Sequence, residues 1–571
     1  MMARARKAKV AAVLRLAARR LRTLIHPNVI VTRVPPNVHA DWNLPVRVRD
    51  GTTLRVNVFR PNEPGSYPVI MSAHPYGKDR IPARSRSGRA ANYQYRMFPQ
   101  PEPVSLSEWT SWEAPDPGVW VPRGYVVVNA DLRGGGTSEG SGDLFSDEEA
   151  QDYYDLIEWA GVQPWSNGRV GLDGVSYLCM SQYKVAALNP PHLAAICPWE
   201  GFSDLYRDFV RPGGSREDGF SIVWSKGTSK VARLRGDLRR EVYARPERDE
   251  WYRSKTPNLE RIEVPMLVCA SFSDHSLHSR GSFEVFRRAA STQKWLYTHR
   301  GGKWSTYYSP RATAARIGFF DRFLKGVENG WDQRPSVHLE IHDSGPHPAA
   351  IVQEDAWPPG NLNWRPLWLD ARDMALREAS PAAQSQAAFS SRSGLSFQWS
   401  VPEDIDVIGP MALRLWIKAQ DASDLVLFAG IRKFRGGDEV TFEGSFGFAG
   451  DMVSKGWQRA AHREIDDDLS IPAQPVHTHD RAEPLARGEI ARIDIALRQH
   501  ATRFLKGDLL QLDVRGNWHF PRNPLFGQFP TFYAPSPKGN WVLLSGGAHD
   551  SHLLLGSRAI SVTAAQVARN G

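Results

Sequence analysis

The chain has 571 residues, of which 41% are apolar and 23% are charged, a balance typical of soluble globular proteins rather than disordered ones. Its length predicts about three to four domains, each large enough to bury a core. No uncharged apolar stretch approaches the roughly 18 residues that suggest a membrane-spanning helix. Three cysteines, Cys179, Cys197 and Cys269, cannot form a disulfide framework. They lie in or beside apolar segments, so we expect small buried side chains in a reducing, cytoplasmic compartment.

The positive charge is concentrated at the N-terminus. The formal net charge is +9, yet residues 1–25 contain eight Lys or Arg and no acidic residue. The remaining chain has 63 basic and 62 acidic residues, which disfavours a nucleic-acid-binding surface on the body. In the extension 1–27, apolar side chains recur at helical spacing opposite Arg15, Arg19 and Arg22. Such a helix fits contact with a membrane surface or a partner, and equally an extension without a function.

Residues 28–199 and 265–329 are predicted to form one α/β domain. Short apolar runs rich in β-branched residues alternate there with helical stretches. This alternation favours a mostly parallel sheet covered by helices on both faces. The predicted helices cover about 148–161, 177–188, 281–291 and 311–326, and the predicted strands are Val69–Ser72, Val126–Ala130, Val170–Leu172, Ala194–Cys197, Met266–Ala270 and Trp295–Tyr297.

Two further regions depart from this alternation. The 67 residues between Cys197 and Pro265 far exceed the dozen or so that a crossover needs, so residues 200–264 are interpreted as an inserted helical cap. From residue 330 to 571, short strands separated by turn residues predict a β-sandwich of the jelly-roll type. Its predicted strands are Val337–Ile341, Leu413–Ile417, Leu425–Ile431, Ile490–Ile495 and Leu509–Leu512.

Ser176 is the candidate nucleophile. The sequence Gly174-Val-Ser-Tyr177 follows a predicted strand and precedes a predicted helix, as in the sharp turn that exposes a catalytic serine. The N-terminus of that helix would direct N–H groups and the positive end of its dipole at a developing oxyanion. A Gly/Ser helix cap without a catalytic role is the alternative interpretation.

A serine nucleophile needs a base, and the base needs an acid that orients it. In α/β-hydrolase folds the chain order is serine, acid, histidine. Asp274 follows the predicted strand Met266–Ala270, and His299 follows the next predicted strand. Both therefore lie where the carboxyl ends of parallel strands build a site. The sequence predicts a triad of Ser176, Asp274 and His299, a chemistry that needs no cofactor and no metal ion.

Several motifs together carry a family resemblance. They are Pro75-Tyr76, Asp131-Leu-Arg133-Gly, Ser138-Glu-Gly140, Glu158-Trp159, Gln163-Pro-Trp165-Ser-Asn-Gly168-Arg-Val-Gly171, Gly174-Val-Ser-Tyr177, Phe319-Phe-Asp-Arg-Phe-Leu-Lys-Gly326 and Ala460-Ala-His-Arg463. From about residue 45 to about residue 560 the chain resembles the CocE/NonD hydrolases, which include cocaine esterase and α-amino-acid ester hydrolases and are related to Xaa-Pro dipeptidyl peptidases. The resemblance implies an α/β-hydrolase domain, a helical cap inserted before the acid, and a C-terminal jelly roll. It also implies Ser176 as nucleophile, Asp274 as acid, and an oxyanion hole made by the Tyr76 hydroxyl and the Tyr177 backbone N–H.

The chain departs from the family pattern at the base. Family members such as cocaine esterase carry it in a Gly-Pro-Trp-x-His segment, whereas this chain reads His299-Arg-Gly-Gly-Lys-Trp304-Ser, with no histidine after the tryptophan. Apart from His275 and His278, which adjoin Asp274, His299 is the nearby histidine on the expected side of the acid. We therefore expect His299 to act from a shifted loop, with an incomplete triad as the alternative.

The sequence thus predicts a serine hydrolase that cleaves carboxylic esters, or amides, through an acyl-enzyme. Two alternatives stay open. One is a Xaa-Pro dipeptidyl peptidase, which needs acidic residues that grip the free amine of its substrate. The other is a non-catalytic binding protein that uses the jelly roll. This alternative stays open because the chain lacks the Trp-x-His segment. The expected partner is a small ester or amide and not a nucleic acid, and a homo-oligomer is compatible with the sequence.

Overall fold

The computed structural model describes residues 2–82, 93–274, 277–523, 527–528 and 530–560, and for residues 2–13, 93 and 445 only the backbone. Within these residues, no helix combines the length and the apolar character that crossing a bilayer would require. Up to residue 354 the elements are α1 (Met2–Ile25), β1 (Val29–Thr32), β2 (Val38–Arg47), β3 (Thr53–Pro61), β4 (Tyr67–His74), α2 (Tyr93–Met97), β5 (Val104–Ser107), α3 (Pro117–Trp120), β6 (Val126–Asp131), α4 (Asp147–Gly161), β7 (Ser166–Val175), α5 (Tyr177–Ala186), β8 (Leu193–Trp199), α6 (Phe220–Thr228), α7 (Leu238–Ala244), α8 (Glu250–Ser254), β9 (Met266–Ser271), α9 (Arg280–Arg288), β10 (Lys294–His299), α10 (Lys303–Tyr307), α11 (Pro310–Lys325), β11 (Val337–Ile341) and β12 (Ala350–Glu354).

A ten-stranded sheet forms the centre of this region, in the order β12-β11-β10-β9-β8-β7-β4-β6-β3-β2. The strands from β11 to β6 pair in parallel, and antiparallel pairs close both edges. All six strands predicted for the α/β domain lie within β4, β6, β7, β8, β9 and β10. The predicted α/β-hydrolase architecture is confirmed, while the antiparallel β2–β3 edge had no counterpart among the predicted strands.

Helices cover both faces of the sheet, because the central strands are apolar at successive positions. Along β4, Val69 and Met71 belong to a core shared with α4, α5 and α9. Ile70, between them, belongs to a second core that includes Phe319 and Phe320 of α11. Alternate side chains of one strand thus enter opposite cores, which is why β6 and β9 are buried along their whole length.

The segment between β8 and β9 forms the inserted cap. It contains a π-helical turn at Leu205–Val210 followed by α6, α7 and α8. Three of these four elements, all except α6, begin at an aspartate whose carboxylate accepts backbone N–H groups from the first turn. These aspartates are Asp204, Asp237 and Asp249. Helix α6 is the part of the cap that reaches the candidate site.

The sequence analysis grouped Val337–Ile341 with the strands of the C-terminal β region, whereas the structure places it in the ten-stranded sheet. This strand is β11, which pairs in parallel with β10, and β12 pairs with it in antiparallel register. The ten-stranded sheet therefore continues beyond the expected boundary at residue 330. The sequence of a short apolar strand looks the same whichever sheet the strand belongs to. Only the strand it pairs with shows which sheet that is.

The C-terminal region is β-rich, as predicted. Its strands are β13 (Asn363–Asp370), β14 (Ala375–Arg377), β15 (Ser385–Ser390), β16 (Gly394–Ser400), β17 (Ile405–Ala419), β18 (Val426–Arg435), β19 (Asp438–Val440), β20 (Ser454–Arg459), β21 (Ile490–Phe504), β22 (Leu509–Arg515), β23 (Asn540–Ser545) and β24 (His552–Ala559). They form a twelve-stranded sheet whose inner side chains make a separate core.

A loop of the C-terminal region reaches back to the α/β domain. Arg300, directly after β10, donates to the carbonyl oxygens of Met452 and Val453 at 2.6 and 3.1 Å. Its guanidinium also lies over the ring of Phe442, 4.2 Å from the ring centre. These contacts hold the loop between β19 and β20, so that Phe446 at its tip meets the candidate active site.

Candidate active site

Ser176 lies at the turn between β7 and α5 in a left-handed backbone conformation, with φ 62° and ψ −116°. Its N–H donates to the carbonyl oxygens of Trp199 and Glu200 at 3.1 and 3.2 Å, which fixes the turn against the end of β8. Gly174 must lack a side chain, because a Cβ there would lie 2.5 Å from the Cβ of Leu178. The sharp strand-to-helix turn predicted around Ser176 is therefore present.

The histidine beside Ser176 is His278. Ser176 Oγ and His278 Nε2 lie 2.9 Å apart, and His278 Nδ1 lies 2.5 Å from Asp274 Oδ2. All three side chains are buried. When Nδ1–H donates to Asp274, Nε2 presents its lone pair to the serine hydroxyl, which is the tautomer that general-base catalysis needs. The loop after β9 thus supplies both the acid and the histidine.

The prediction that His299 partners Ser176 is wrong. His299 Nε2 pairs with Glu200 Oε1 at 2.9 Å, and its ring stacks on Trp199 with the ring centres 6.1 Å apart. The reason is the strand register. His299 stands opposite Ser271 inside the sheet, while Asp274 lies in the loop beyond the strand end. His275, the third histidine near the acid, lies outside the described residues.

Lys303 lies against the ring of His278. Its Nζ is 2.6 Å from Nδ1 and 3.2 Å from Nε2 of His278, and 3.2 Å from Asp274 Oδ2. The ammonium is buried and sits 4.9 Å from the centre of the Phe446 ring. Burial first, and then this ammonium, lower the pKa of His278, while Asp274 opposes them. The imidazole is therefore held neutral, the form that accepts a proton.

Sequence reasoning missed both His278 and Lys303, although each carried a signal. Asp274 and His278 are four positions apart in the sequence. Side chains at this spacing lie next to each other when the chain forms a helical turn. Lys303 directly precedes Trp304, in the segment that resembles the family's Trp-x-His motif. The chain order serine, acid, histidine holds with His278 as it does with His299, so order alone did not distinguish them.

The two groups expected in the oxyanion hole both lie at Ser176. Tyr76, after β4, packs its ring edge-on to the ring of Tyr177 and receives a 2.8 Å hydrogen bond from Trp224 Nε1. Burial raises the pKa of Tyr76 well above its ordinary value, so the hydroxyl keeps its proton; a hydrogen bond with Ser176 opposes the rise. Tyr177 is the first residue of α5, and an N–H in the first turn has no acceptor within its own helix.

Several residues near Ser176 have a strained backbone conformation with positive φ. Four further residues other than glycine have φ between 52 and 63° and contribute to the site: Glu113, Phe145, Glu200 and Phe446. The Glu113 carbonyl accepts the N–H of Val175 at 3.1 Å, and the Phe446 ring meets the His278 ring edge-on with centres 6.0 Å apart. Each such conformation costs on the order of 1–3 kcal/mol and persists where the surroundings enforce it, as at functional sites.

Within the described part of the chain, one cluster of side chains could in principle bind a metal ion. The ligand atoms of Glu200, Cys269 and His299 lie within 4.8 Å of one another, and all three residues are buried. Burial raises the pKa of the Cys269 thiol well above its ordinary value, which disfavours the thiolate that binds metals. The Glu200–His299 hydrogen bond already joins the other two, so the group suits a buried polar pair better than a metal ion.

Comparisons with known proteins identify the family of the chain. Two protein-family models match: X-Pro dipeptidyl-peptidase (S15 family) over residues 50–303, and X-Pro dipeptidyl-peptidase C-terminal non-catalytic domain over residues 329–554. The crystal structure of a CocE/NonD family hydrolase from Staphylococcus aureus is 35% identical, with a TM-score of 0.86, and the match covers 94% of this chain and 100% of that one. The chain belongs to the CocE/NonD hydrolase family.

Curated relatives of this hydrolase carry names of both ester- and peptide-cleaving enzymes. Cocaine esterase from Rhodococcus sp. is 26% identical over 366 residues, which cover 54% of this chain and 59% of that protein. A putative Xaa-Pro dipeptidyl-peptidase from Bacillus anthracis is 24% identical over 328 residues, 51% of this chain and 53% of that protein. The chain thus spans a little over half the length of the curated relatives it matches.

Proposed function

We propose that this hydrolase cleaves carboxylic esters through an acyl-enzyme formed on Ser176. The observation that carries the proposal is the 2.9 Å contact between Ser176 Oγ and His278 Nε2, with Asp274 on the other ring nitrogen. A serine, a neutral imidazole and an orienting carboxylate in this arrangement are the parts of an activated nucleophile. Membership of a hydrolase family supports the same chemistry.

The proposed reaction has two halves. Ser176 Oγ bonds to the acyl carbon while its proton passes to His278 Nε2, and the carbonyl oxygen becomes an oxyanion that accepts hydrogen bonds from the Tyr76 hydroxyl and the Tyr177 N–H. The bond to the leaving alcohol then breaks, and His278 gives the proton to the departing oxygen. A water molecule attacks the acyl-enzyme in the same way, which releases the acid and restores the serine.

The carboxyl groups around Ser176 favour an ester over a substrate with a free amine. Asp274 is engaged by His278 and Lys303, and Glu200 by His299. Glu113 accepts from Trp304 Nε1 at 3.1 Å, and burial raises its pKa to about 8 although the Lys303 ammonium opposes the rise. A carboxyl that is mostly neutral at pH 7 grips an ammonium group poorly.

Aromatic side chains from the cap and from the C-terminal loop lie at the site: Trp224 donates to the Tyr76 hydroxyl, and Phe446 meets the ring of His278 edge-on. Trp224 of α6 stacks on Phe145 and Tyr177, and it meets Phe209 edge-on. Phe220, at the start of α6, stacks on Phe446 with ring centres 4.8 Å apart. Such walls bury apolar surface, so we expect the preferred esters to carry an apolar or aromatic acyl or alkoxy group.

Labelling with a fluorophosphonate, which phosphonylates activated serines with loss of fluoride, tests the proposal directly. We expect a single adduct on Ser176, located by mass spectrometry, and no adduct in the Ser176→Ala variant. Ser181, also buried but bonded to the carbonyl oxygen of Ala73, provides a matched control, because the Ser181→Ala variant should label as the wild type does. An unlabelled Ser176 in folded protein would overturn the proposal and favour the non-catalytic alternative.

A Xaa-Pro dipeptidyl peptidase is the second candidate, because the matching family model of residues 50–303 bears that description. Turnover of a dipeptidyl-proline amide, compared with turnover of a simple acetate ester, separates the two. We expect the ester to be cleaved with the larger kcat/KM. Faster cleavage of the amide would assign the peptidase activity instead.

The pH dependence of ester hydrolysis should change when the charge of Lys303 is removed, because that charge lowers the pKa of His278. Neutral His278 is the active form, so activity falls as the pH drops through its pKa. Replacing Lys303 with methionine removes a cation that lowers this pKa, and the acidic limb of kcat/KM should therefore move to higher pH. Lys303→Arg keeps the charge and should leave the limb near its wild-type position. A limb that stays put or moves to lower pH in Lys303→Met would contradict the assignment of His278 as the base.

A further inference from the structure

Helix α1 rests on the protein with its polar side. Arg20 and Thr23 are buried, whereas Leu14, Leu21 and Ile25 are 63, 50 and 66% exposed. A surface helix ordinarily turns its apolar stripe inward and its charges to water. In this helix the arrangement is reversed along the portion whose side chains are described.

Specific polar contacts fix this orientation. Arg19 donates to the Glu443 carboxylate at 3.3 Å and to the Gly447 carbonyl oxygen at 3.0 Å. Arg20 donates to the Gly527 carbonyl oxygen at 2.6 Å, and its guanidinium lies 4.1 Å from the centre of the Phe448 ring. Burial lowers the pKa of Arg20 to about 10, so the group stays charged at neutral pH. Rotating the helix to bury its leucines would break the contacts of Arg19 and Arg20 and leave their charges without these partners.

The outward side of α1 combines an apolar stripe with a basic edge. Positions 14, 21 and 25 are spaced by seven and four residues, which places their side chains on one face of a helix. Leu24, 43% exposed, widens that face. Arg15 and Arg22, both exposed, are separated by the same seven residues and border it.

We propose that this outer face of α1, formed by Leu14, Leu21, Leu24 and Ile25 with Arg15 and Arg22, docks the enzyme on the surface of an anionic lipid bilayer. An interfacial helix inserts its apolar face at the boundary of headgroups and acyl chains while its cations contact anionic headgroups. The face supplies both features side by side, and the helix is long enough to lie along the surface. The proposal is independent of the reaction assigned to Ser176.

Charge complementarity selects the anionic lipid surface over a second copy of the chain. Residues 1–25 carry eight cations and no anion, so two α1 helices meeting face to face would bring only like charges together. A bilayer rich in anionic lipid offers the opposite charge and an apolar layer within one structure. The second copy therefore becomes an outcome that the experiment must distinguish.

Co-sedimentation of the 571-residue chain with vesicles tests the proposal. Vesicles of phosphatidylcholine alone are compared with vesicles of equal parts phosphatidylcholine and phosphatidylglycerol, at low and at high salt. We expect binding to the phosphatidylglycerol vesicles and weaker binding at high salt. The double variant Leu21→Gln/Ile25→Gln should lower the partition coefficient by about tenfold or more, and Arg15→Gln/Arg22→Gln should lower it by a similar factor.

The matched control is Val162→Gln, at the end of α4, because Val162 is 68% exposed and lies outside α1. This variant should bind as the wild type does. Wild-type protein that stays in the supernatant with anionic vesicles would overturn the proposal. So would partition that neither double substitution changes. A dimer in ultracentrifugation that Leu21→Gln/Ile25→Gln dissociates would assign the face to a second copy instead.

Discussion

Replacing His278 with glutamine should lower kcat for a simple acetate ester by about 10⁴-fold or more, because the serine then has no base within reach. Glutamine keeps a polar side chain of similar length in the buried loop, yet it cannot accept a proton at neutral pH. The measurement is the steady-state rate of ester hydrolysis near pH 7.5, with the melting temperature taken to confirm the fold. We expect fluorophosphonate labelling of Ser176 to fall in parallel.

His299→Gln is the matched comparison for that variant. His299 is as buried as His278, and glutamine can still donate to Glu200, the partner of His299 at 2.9 Å. We therefore expect kcat within a few-fold of the wild-type value and a change mainly in stability. If His299→Gln lost activity as severely as His278→Gln in folded protein, the assignment of the base to His278 alone would fail.

Removing the Tyr76 hydroxyl should produce the second-largest effect. Tyr76→Phe deletes one of two expected oxyanion donors, a loss that raises the barrier by about 3 kcal/mol and lowers kcat by about 10²-fold. The ring stays in place, since it packs against Tyr177. KM should change little because the hydrogen bond is made chiefly to the transition state. Steady-state kinetics on the same ester give both constants.

Tyr183→Phe provides the control for Tyr76→Phe. Tyr183 lies in α5, is fully buried, and its hydroxyl contacts the Cys179 sulfur at 3.2 Å rather than the serine. The substitution removes a buried tyrosine hydroxyl close to the nucleophile and should leave kcat near the wild-type value. Equal losses in the two variants would mean that the effect of Tyr76→Phe comes from packing, and the oxyanion assignment would be withdrawn.

The parallel strands were predictable because their sequence pattern has a physical cause. A strand buried on both faces must be apolar at successive positions, and this pattern marked β4 and β6 in the first half of the domain and β9 further on. The antiparallel β2 lacks the pattern because many of its side chains are exposed. Val337–Ile341 shows the limit of the method, since hydropathy describes how a strand is buried and not which neighbour it pairs with.

The local sequence was sufficient to locate the candidate nucleophile and the candidate acid. Ser176 sits in a motif whose glycine and flanking strand and helix enforce the turn, and Asp274 follows a strand that ends at the site, so both positions could be read from the chain. Tyr76 and Tyr177 were expected at the site from the family resemblance, and the structure places one after the strand β4 and the other at the start of α5. In all these cases the residue's place is set by neighbours in sequence.

The tertiary structure decided which histidine meets the serine. His278 and His299 both follow Asp274, and the distance from Ser176 to each depends on strand register and on the path of a loop, neither of which is written in local sequence. The same holds for Lys303, whose ammonium reaches His278 only because the segment after β10 folds back over the loop after β9. It holds for α1 as well: the sequence established a helix with one apolar and one basic side, but only packing against Glu443 and Gly527 determined that the apolar side faces outward.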